Sequence, residues 1–212
     1  LDSITIPNTV TEIGDYAFYN CSSLTEATIP NDVTAIGWGA FEGCSTLKKV
    51  TIPNSVSAID CSAFSDCTSL TDVVIGSGLT TLNKKLFSGC NSLTSVTFPE
   101  SLTSIGDSVF NNCSSLTSIT FPKNLTSIGS MAFYKCSSIT EIVIPDNVTS
   151  IGGSAFDYCN SLASITIPDS VTEIGTSFKD SAYYNNESNW ENDVLYIGKH
   201  LIEARDTISD SY

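Results

Sequence analysis

The sequence predicts a solenoid: a right-handed stack of about eight short coils, β-rich, with one strand per coil joining a parallel sheet and short helical or 3-10 turns between. Three observations carry this. The stretch LDSITIPNTVTEIGDYAFYNCSS recurs with substitutions every 23 residues to about Ser177. Apolar residues return to the same places in each copy. All seven prolines fall on one column, and so do seven of the eight cysteines.

The units open at Leu1, Leu24, Leu47, Leu70, Leu93, Leu116, Ile139 and Leu162. Three residues on stand Ile4, Ala27, Val50, Val73, Val96, Ile119, Ile142 and Ile165, and two further Ile6, Ile29, Ile52, Ile75, Phe98, Phe121, Ile144 and Ile167. Between these inward pairs Thr5, Thr28, Thr51, Thr97, Thr120 and Thr166 point outward, the period-2 alternation of a strand with one solvated face. Pro7, Pro30, Pro53, Pro99, Pro122, Pro145 and Pro168 then end each strand, because proline cannot donate to a ladder; the fourth unit uses Gly76-Ser77-Gly78 instead.

A second apolar pair follows, such as Val10 and Ile13, and then a glycine column, Gly14, Gly37, Gly106, Gly129, Gly152 and Gly175, replaced only by Asp60 and Asn83. Asp and Asn tolerate positive φ best after glycine, so a left-handed corner is expected there. Each unit closes on an Ala-Phe pair and a cysteine, as in Ala17, Phe18 and Cys21.

After Gly175 the pattern breaks. Thr176-Ser177-Phe178 is one residue short of the Ala-Phe position and no cysteine follows in register. A polar stretch, KDSAYYNNESNWENDV, leads into LYIGKHLIEAR, which reads as a short hairpin about Gly198-Lys199-His200. The expected organisation is an array over 1–178 and, over 179–212, a polar insertion plus hairpin that acts as a partial cap or starts a further block, its final ISDSY loose. At the other end Leu1 is already a strand residue without a polar cap ahead of it, so a piece of a longer protein is expected. Coils about 4.8 Å apart make a stack roughly 40 Å long, a surface rather than a deep pocket.

The chemistry-bearing residues argue for binding over catalysis. Seven cysteines on one column have no complete pairing, and parallel side chains in one rotamer make poor disulfide torsions, so buried reduced thiols are expected; Cys61, off the column, is the expected exposed thiol. No CxxC or Cys/His cluster suggests a metal, no calcium repeat is present, and no cofactor is assigned. With 23 acidic against nine basic residues the net charge is −14, which argues against nucleic acid and anionic membrane as partners; the doublets Lys48-Lys49 and Lys84-Lys85 read as solvated surface. One histidine, His200, cannot build a catalytic triad on the array, and the reading is of a non-enzyme.

The eight copies of the form LxxIxIPxxVxxIGxxAFxxCxx, clearest in LTSITFPKNLTSIGSMAFYKCSS, resemble the BspA-like leucine-rich repeat over about Leu1 to Phe178. The resemblance implies a leucine-rich-repeat solenoid in a bacterial secreted or cell-wall protein, extracellular or surface-bound, that adheres to host matrix or cell-surface proteins. Protein is then the expected partner. A carbohydrate-binding module attached to an enzyme elsewhere, or a structural spacer, are the alternatives.

Specificity belongs where the copies differ. On the strand face these are Asp2, Ser3, Glu26, Lys48, Lys49, Asp72 and Glu141 among Thr and Ser, of which Lys48 and Lys49 are the candidates; on the corner and following turn they are Tyr16, Tyr19, Trp38, Tyr134 and Tyr158. Tyr16 and Trp38 fall in nearly equivalent slots one coil apart, so they are expected side by side, stacking on a sugar or anchoring a protein partner, or else shielding a thin edge of the solenoid.

Overall fold

The computed structural model describes residues 2–205. The expectations for Leu1 and for the ISDSY segment lie outside these. The chain is a stack of about seven 23-residue coils followed by a shortened eighth, and each residue pairs with the one 23 positions on. Along the first strand column Ser3–Thr5 pairs in parallel with Glu26–Thr28, Lys49–Ile52 with Asp72–Ile75, the latter with Ser95–Thr97, and Glu141–Val143 with Ser164–Thr166. The sixth coil contributes no strand here, a break that coincides with Phe98 and Phe121 standing where other coils carry isoleucine, their rings 6.4 Å apart.

A second column of two-residue strands follows the proline turns. Glu12–Ile13, Ala35–Ile36 and Ala58–Ile59 form one ladder. Thr81–Leu82, Ser104–Ile105, Ser127–Ile128, Ser150–Ile151 and Glu173–Ile174 form another. The gap between them falls at Asn83. In six other coils the backbone N–H of the glycine-column residue donates to the preceding coil, as Gly37 does to Ile13 (2.8 Å) and Asp60 to Ile36 (2.9 Å). At Asn83 the side-chain amide makes that bond instead, to the Ile59 carbonyl at 2.7 Å.

Two local expectations are corrected. The glycine column is not left-handed; positive φ occurs two and six residues later, at Tyr16 (56°) and Asn20 (55°), and again at Ser62 (60°) and Asp66 (56°). Glycine at Gly37 permits close approach instead: a Cβ there would lie 2.6 Å from the Asp15 nitrogen and 2.8 Å from the Gly14 carbonyl carbon, although Asp60 and Asn83 place side chains in the same column. The expected short helical turns are also missing from the array, where the described residues hold no helix. The left-handed residues rotate backbone N–H groups along the stack instead of back toward i−4, so Tyr16, Phe18 and Asn20 donate to the carbonyls of Trp38, Ala40 and Glu42 at 2.8, 2.7 and 2.7 Å. The turn face is therefore stitched coil to coil like the strand faces.

The interior is a set of stacked columns. Leu47, Leu70, Leu93 and Leu116 are fully buried, as are Phe41, Phe64, Phe87, Phe110, Phe133 and Phe156. Successive phenylalanine rings lie 4.9 to 5.7 Å apart and within 20° of parallel. Burying one such ring stabilises by about 1.5–3 kcal/mol. The cysteines add a polar contact to their packing: Cys44 Sγ donates to Phe18 O at 3.1 Å, and Cys67, Cys90, Cys113, Cys136 and Cys159 repeat this at 3.1 or 3.2 Å. All eight cysteines are free thiols. Burial pushes Cys44 up to about 11 and Cys159 to about 12.

The C-terminal segment covers the last coil. Phe178 stacks on Phe156 at 5.4 Å despite the missing residue, and fully buried Ser181 takes the place a cysteine holds elsewhere. The turn-face ladder continues to it, with Phe156 N–H donating to Ser177 O and Tyr158 N–H to Lys179 O, both at 2.8 Å. Trp190–Glu191, Val194–Ile197 and His200–Ala204 form the expected hairpin as part of a three-stranded antiparallel sheet. It buries Leu195 and Ile197, and its buried His200 lies 3.2 Å from the Pro168 carbonyl.

Candidate functional site

The residue directly after the glycine column begins the turn face, and its side chains form a row down the stack: Asp15, Trp38, Cys61, Lys84, Asp107, Ser130, Gly153, Thr176. Asp15 and Asp107 fold back on the row, their Oδ1 atoms accepting the N–H of Trp38 (2.8 Å) and of Ser130 (2.9 Å). The bulk is uneven. Coil 2 carries indole, coil 3 a thiol, coil 4 an ammonium.

Around Trp38 the expected aromatic neighbours come together. The Tyr16 and Trp38 rings lie 5.5 Å apart, and Tyr16 meets Tyr19 edge-on at 5.4 Å. The Tyr16 ring lies over Gly39, where a Cβ would approach its Cε1 to 2.8 Å, so the absent side chain makes room for it. Tyr16, Tyr19 and Trp38 are 44%, 48% and 50% exposed, whereas Phe41 beneath is sealed and Phe18 half-buried. Beside them Asp15, Trp38, Asp60, Cys61, Ser62, Lys84 and Lys85 line an open notch of about 540 Å³. Cys61 is half-buried there rather than exposed, because Trp38 and Lys84 rise on both sides of it.

The other expected positions lie elsewhere. Tyr134 and Tyr158 pair at 5.2 Å on a later stretch of the turn face, half-buried, with Lys135 Nζ 5.3 and 5.9 Å from their ring centres. That cation already occupies the ring faces a ligand would use. Lys48 and Lys49 are exposed on the strand face, Lys49 in register with Asp72 and bordering a shallow groove with Glu26, Thr51, Asn54 and Val74. The Asp72 carboxyl is held below its ordinary range by hydrogen bonds from Thr71 and Ser95, with Lys49 adding to this.

The seven expected residues thus occupy three places, and in the Tyr16, Tyr19 and Trp38 group exposed aromatics adjoin a concavity with charged walls. Sequence reasoning passed over Lys84 and Lys85 as surface charge and Cys61 as incidental. The available signal was register: Lys84 stands two periods after Trp38 in the same column. Just below the patch, burial raises the Glu42 carboxyl, Asp66 adds to the rise, and Lys85 opposes it. Among the described residues no group of three His, Cys, Asp or Glu is placed to hold a metal ion, and no helix is long and apolar enough to cross a membrane.

A sequence profile of the BspA type leucine rich repeat region matches residues 1–116 and 80–208, with six copies. Among solved structures, a leucine-rich repeat protein from Bacteroides ovatus is 36% identical with a TM-score of 0.79, over 84% of this chain and 46% of that one. A leucine rich repeat protein from T. pallidum is 30% identical with a TM-score of 0.72, over 76% of this chain and 78% of that one. A leucine rich cell surface protein from Faecalibacterium prausnitzii is 36% identical with a TM-score of 0.63, over 82% of this chain and 57% of that one. The chain spans about half the length of the Bacteroides and Faecalibacterium proteins. No curated protein matches it.

Proposed function

The chain belongs to the BspA-type leucine-rich repeat family, and from that premise we propose that it is a non-enzymatic binding module displayed outside a bacterial cell, gripping a protein partner through the aromatic patch of its turn face. The observation that carries this is the exposure of Tyr16, Tyr19 and Trp38, at 44% to 50%, together beside a charged notch, whereas the Tyr134–Tyr158 pair is half-buried and the phenylalanine column from Phe41 to Phe156 is sealed. Clustered aromatics present large, rigid contact area at low entropic cost, which is how binding hot spots are built. The likeness to a cell surface protein of Faecalibacterium prausnitzii supports the extracellular setting. Surface residues that vary between coils over an interior that stays apolar are the expected arrangement for a scaffold that changes partner without changing fold.

The test is surface plasmon resonance of the chain against immobilised extracellular-matrix and cell-surface proteins, with Trp38→Ala and Tyr16→Ala/Trp38→Ala variants. A bound protein should lose at least about 10-fold in affinity in the double variant, in line with truncated hot-spot aromatics, while thermal stability is kept. Binding unchanged by the double variant, or no binding to any such protein, overturns the proposal.

A further inference from the structure

We propose that the notch between Trp38 and Lys84 is a subsite for a sugar ring bearing a carboxylate, such as a sialic or uronic acid residue. This deepens the binding role proposed for the aromatic patch and rests on it.

The argument starts from the row of side chains. Trp38 and Lys84 stand two coil steps apart, about 10 Å at strand spacing. Half-buried Cys61 lies low between them, so the row has an indole wall, a small floor and a cationic wall. That width admits one saturated ring at contact distances of about 3.5–4 Å on each side. Indole is the side chain best suited to covering the C–H face of a pyranose, because it offers a wide apolar surface with little rotamer entropy to lose.

The charges then set which end of the ligand goes where. Lys84 and Lys85 are exposed, and neither joins an ion pair: the described residues hold just two, Lys199 with Asp169 and Arg205 with Glu187. Lys84, with Lys85 whose charge also acts on Glu42, accepts a carboxylate through charge-assisted hydrogen bonds. On the floor side, exposed Asp60 is placed to accept from ring hydroxyls, while Asp15 is engaged through Oδ1 by the backbone N–H of Trp38. A neutral sugar leaves the lysines unused. A polyacidic peptide meets the field of a chain with net charge −14, and Asp15 and Asp60 on the same notch oppose every negative charge beyond the one the lysine pair takes up.

The floor supplies a reporter. The column thiols from Cys44 to Cys159 are held protonated by burial, so among the described thiols alkylation at neutral pH falls on Cys61 and half-buried Cys21.

The experiment titrates the 212-residue chain with the methyl glycosides of N-acetylneuraminic acid and glucuronic acid, and with the methyl ester of each. Tryptophan fluorescence is read together with the iodoacetamide alkylation rate of Cys61 relative to Cys21 by peptide mass spectrometry. At least one acid is expected to bind with Kd near about 1 mM and to slow alkylation of Cys61 alone, its ester binding at least about 10-fold more weakly. Lys84→Gln/Lys85→Gln should abolish that preference, and Trp38→Ala should weaken acid and ester alike. Esters that bind as well as acids, absence of protection up to about 50 mM, or protection by a Glu-rich peptide where the sugars give none each overturn the inference. Failure of the sugars with matrix-protein binding intact removes this subsite and leaves the proposed function standing; loss of both removes the patch as a binding site.

Discussion

Replacing Phe110 by Ala should damage the fold far more than the same change at Phe18, and the ratio of the two tests whether the interior is a one-dimensional stack. Phe110 is fully buried between Phe87 at 5.6 Å and Phe133 at 5.3 Å, with Phe98 edge-on at 5.8 Å. Truncating a buried phenylalanine costs about 3–5 kcal/mol, and the lost ring contacts place this site at the upper end, about 4–5 kcal/mol. Phe18 is half-buried with a single stacked neighbour, Phe41 at 4.9 Å, so about 2 kcal/mol is expected there. Because stability in a stack is a sum of units and interfaces, the Phe110 variant should also divide the array, giving two urea transitions or one midpoint lowered by about 1–2 M. Urea denaturation followed by far-UV circular dichroism measures both. Equal losses at the two sites, or a loss below about 1 kcal/mol at Phe110, would refute the reasoning.

Gly37→Ala and Gly14→Ala separate close approach from backbone freedom: the Cβ on Gly37 meets backbone at 2.6 Å and should cost about 2 kcal/mol or more, while the space around Gly14 is open to 4 Å and the change there should fall within about 0.5 kcal/mol by thermal melting. Asn83→Ala removes the amide bond to Ile59 O and should cost about 1 kcal/mol, whereas Asn83→Gly should be better tolerated by supplying the glycine that the next coil has at Gly106; equal losses would contradict this. The buried thiols are raised, Cys44 to about 11 and Cys159 to about 12, so their stabilising contribution is fully present below the unfolded thiol range near 8.5 and is lost as pH rises through 11 and 12. Denaturant midpoints should accordingly fall above about pH 9, and Cys136→Ala should not remove the fall, since five other column thiols remain buried.

The scaffold was legible because each inward column is filled by residues of one apolar character in every coil. Leu, Ile, Phe and Cys repeat at 23-residue spacing, and stacking is the arrangement that buries all of them at once. What the sequence concealed were contacts between coils. Gly37 looks like a corner because Asp and Asn share its column, yet the restriction comes from Asp15 and Gly14 a coil away. Ser181 hid its place because the deletion before Phe178 shifts the register by one, although the ring still stacks on Phe156. Likewise Tyr16 beside Trp38 could be read from slots one coil apart, but Lys84 joins that site across two coils, past a cysteine whose smallness, not its chemistry, opens the notch.

Amide hydrogen exchange at Phe41, Phe64, Phe87, Phe110 and Phe133 tests the stacked architecture most directly. Each of these N–H groups donates to the next coil, at 2.8, 3.0, 2.9, 2.8 and 2.8 Å, from a stretch that would be a solvated loop in an ordinary fold. They should exchange as slowly as the strand amides of Val50 and Val73, through global opening alone. Exchange at those five sites within seconds, while the strands stay protected, would contradict a stack bonded along its turn face.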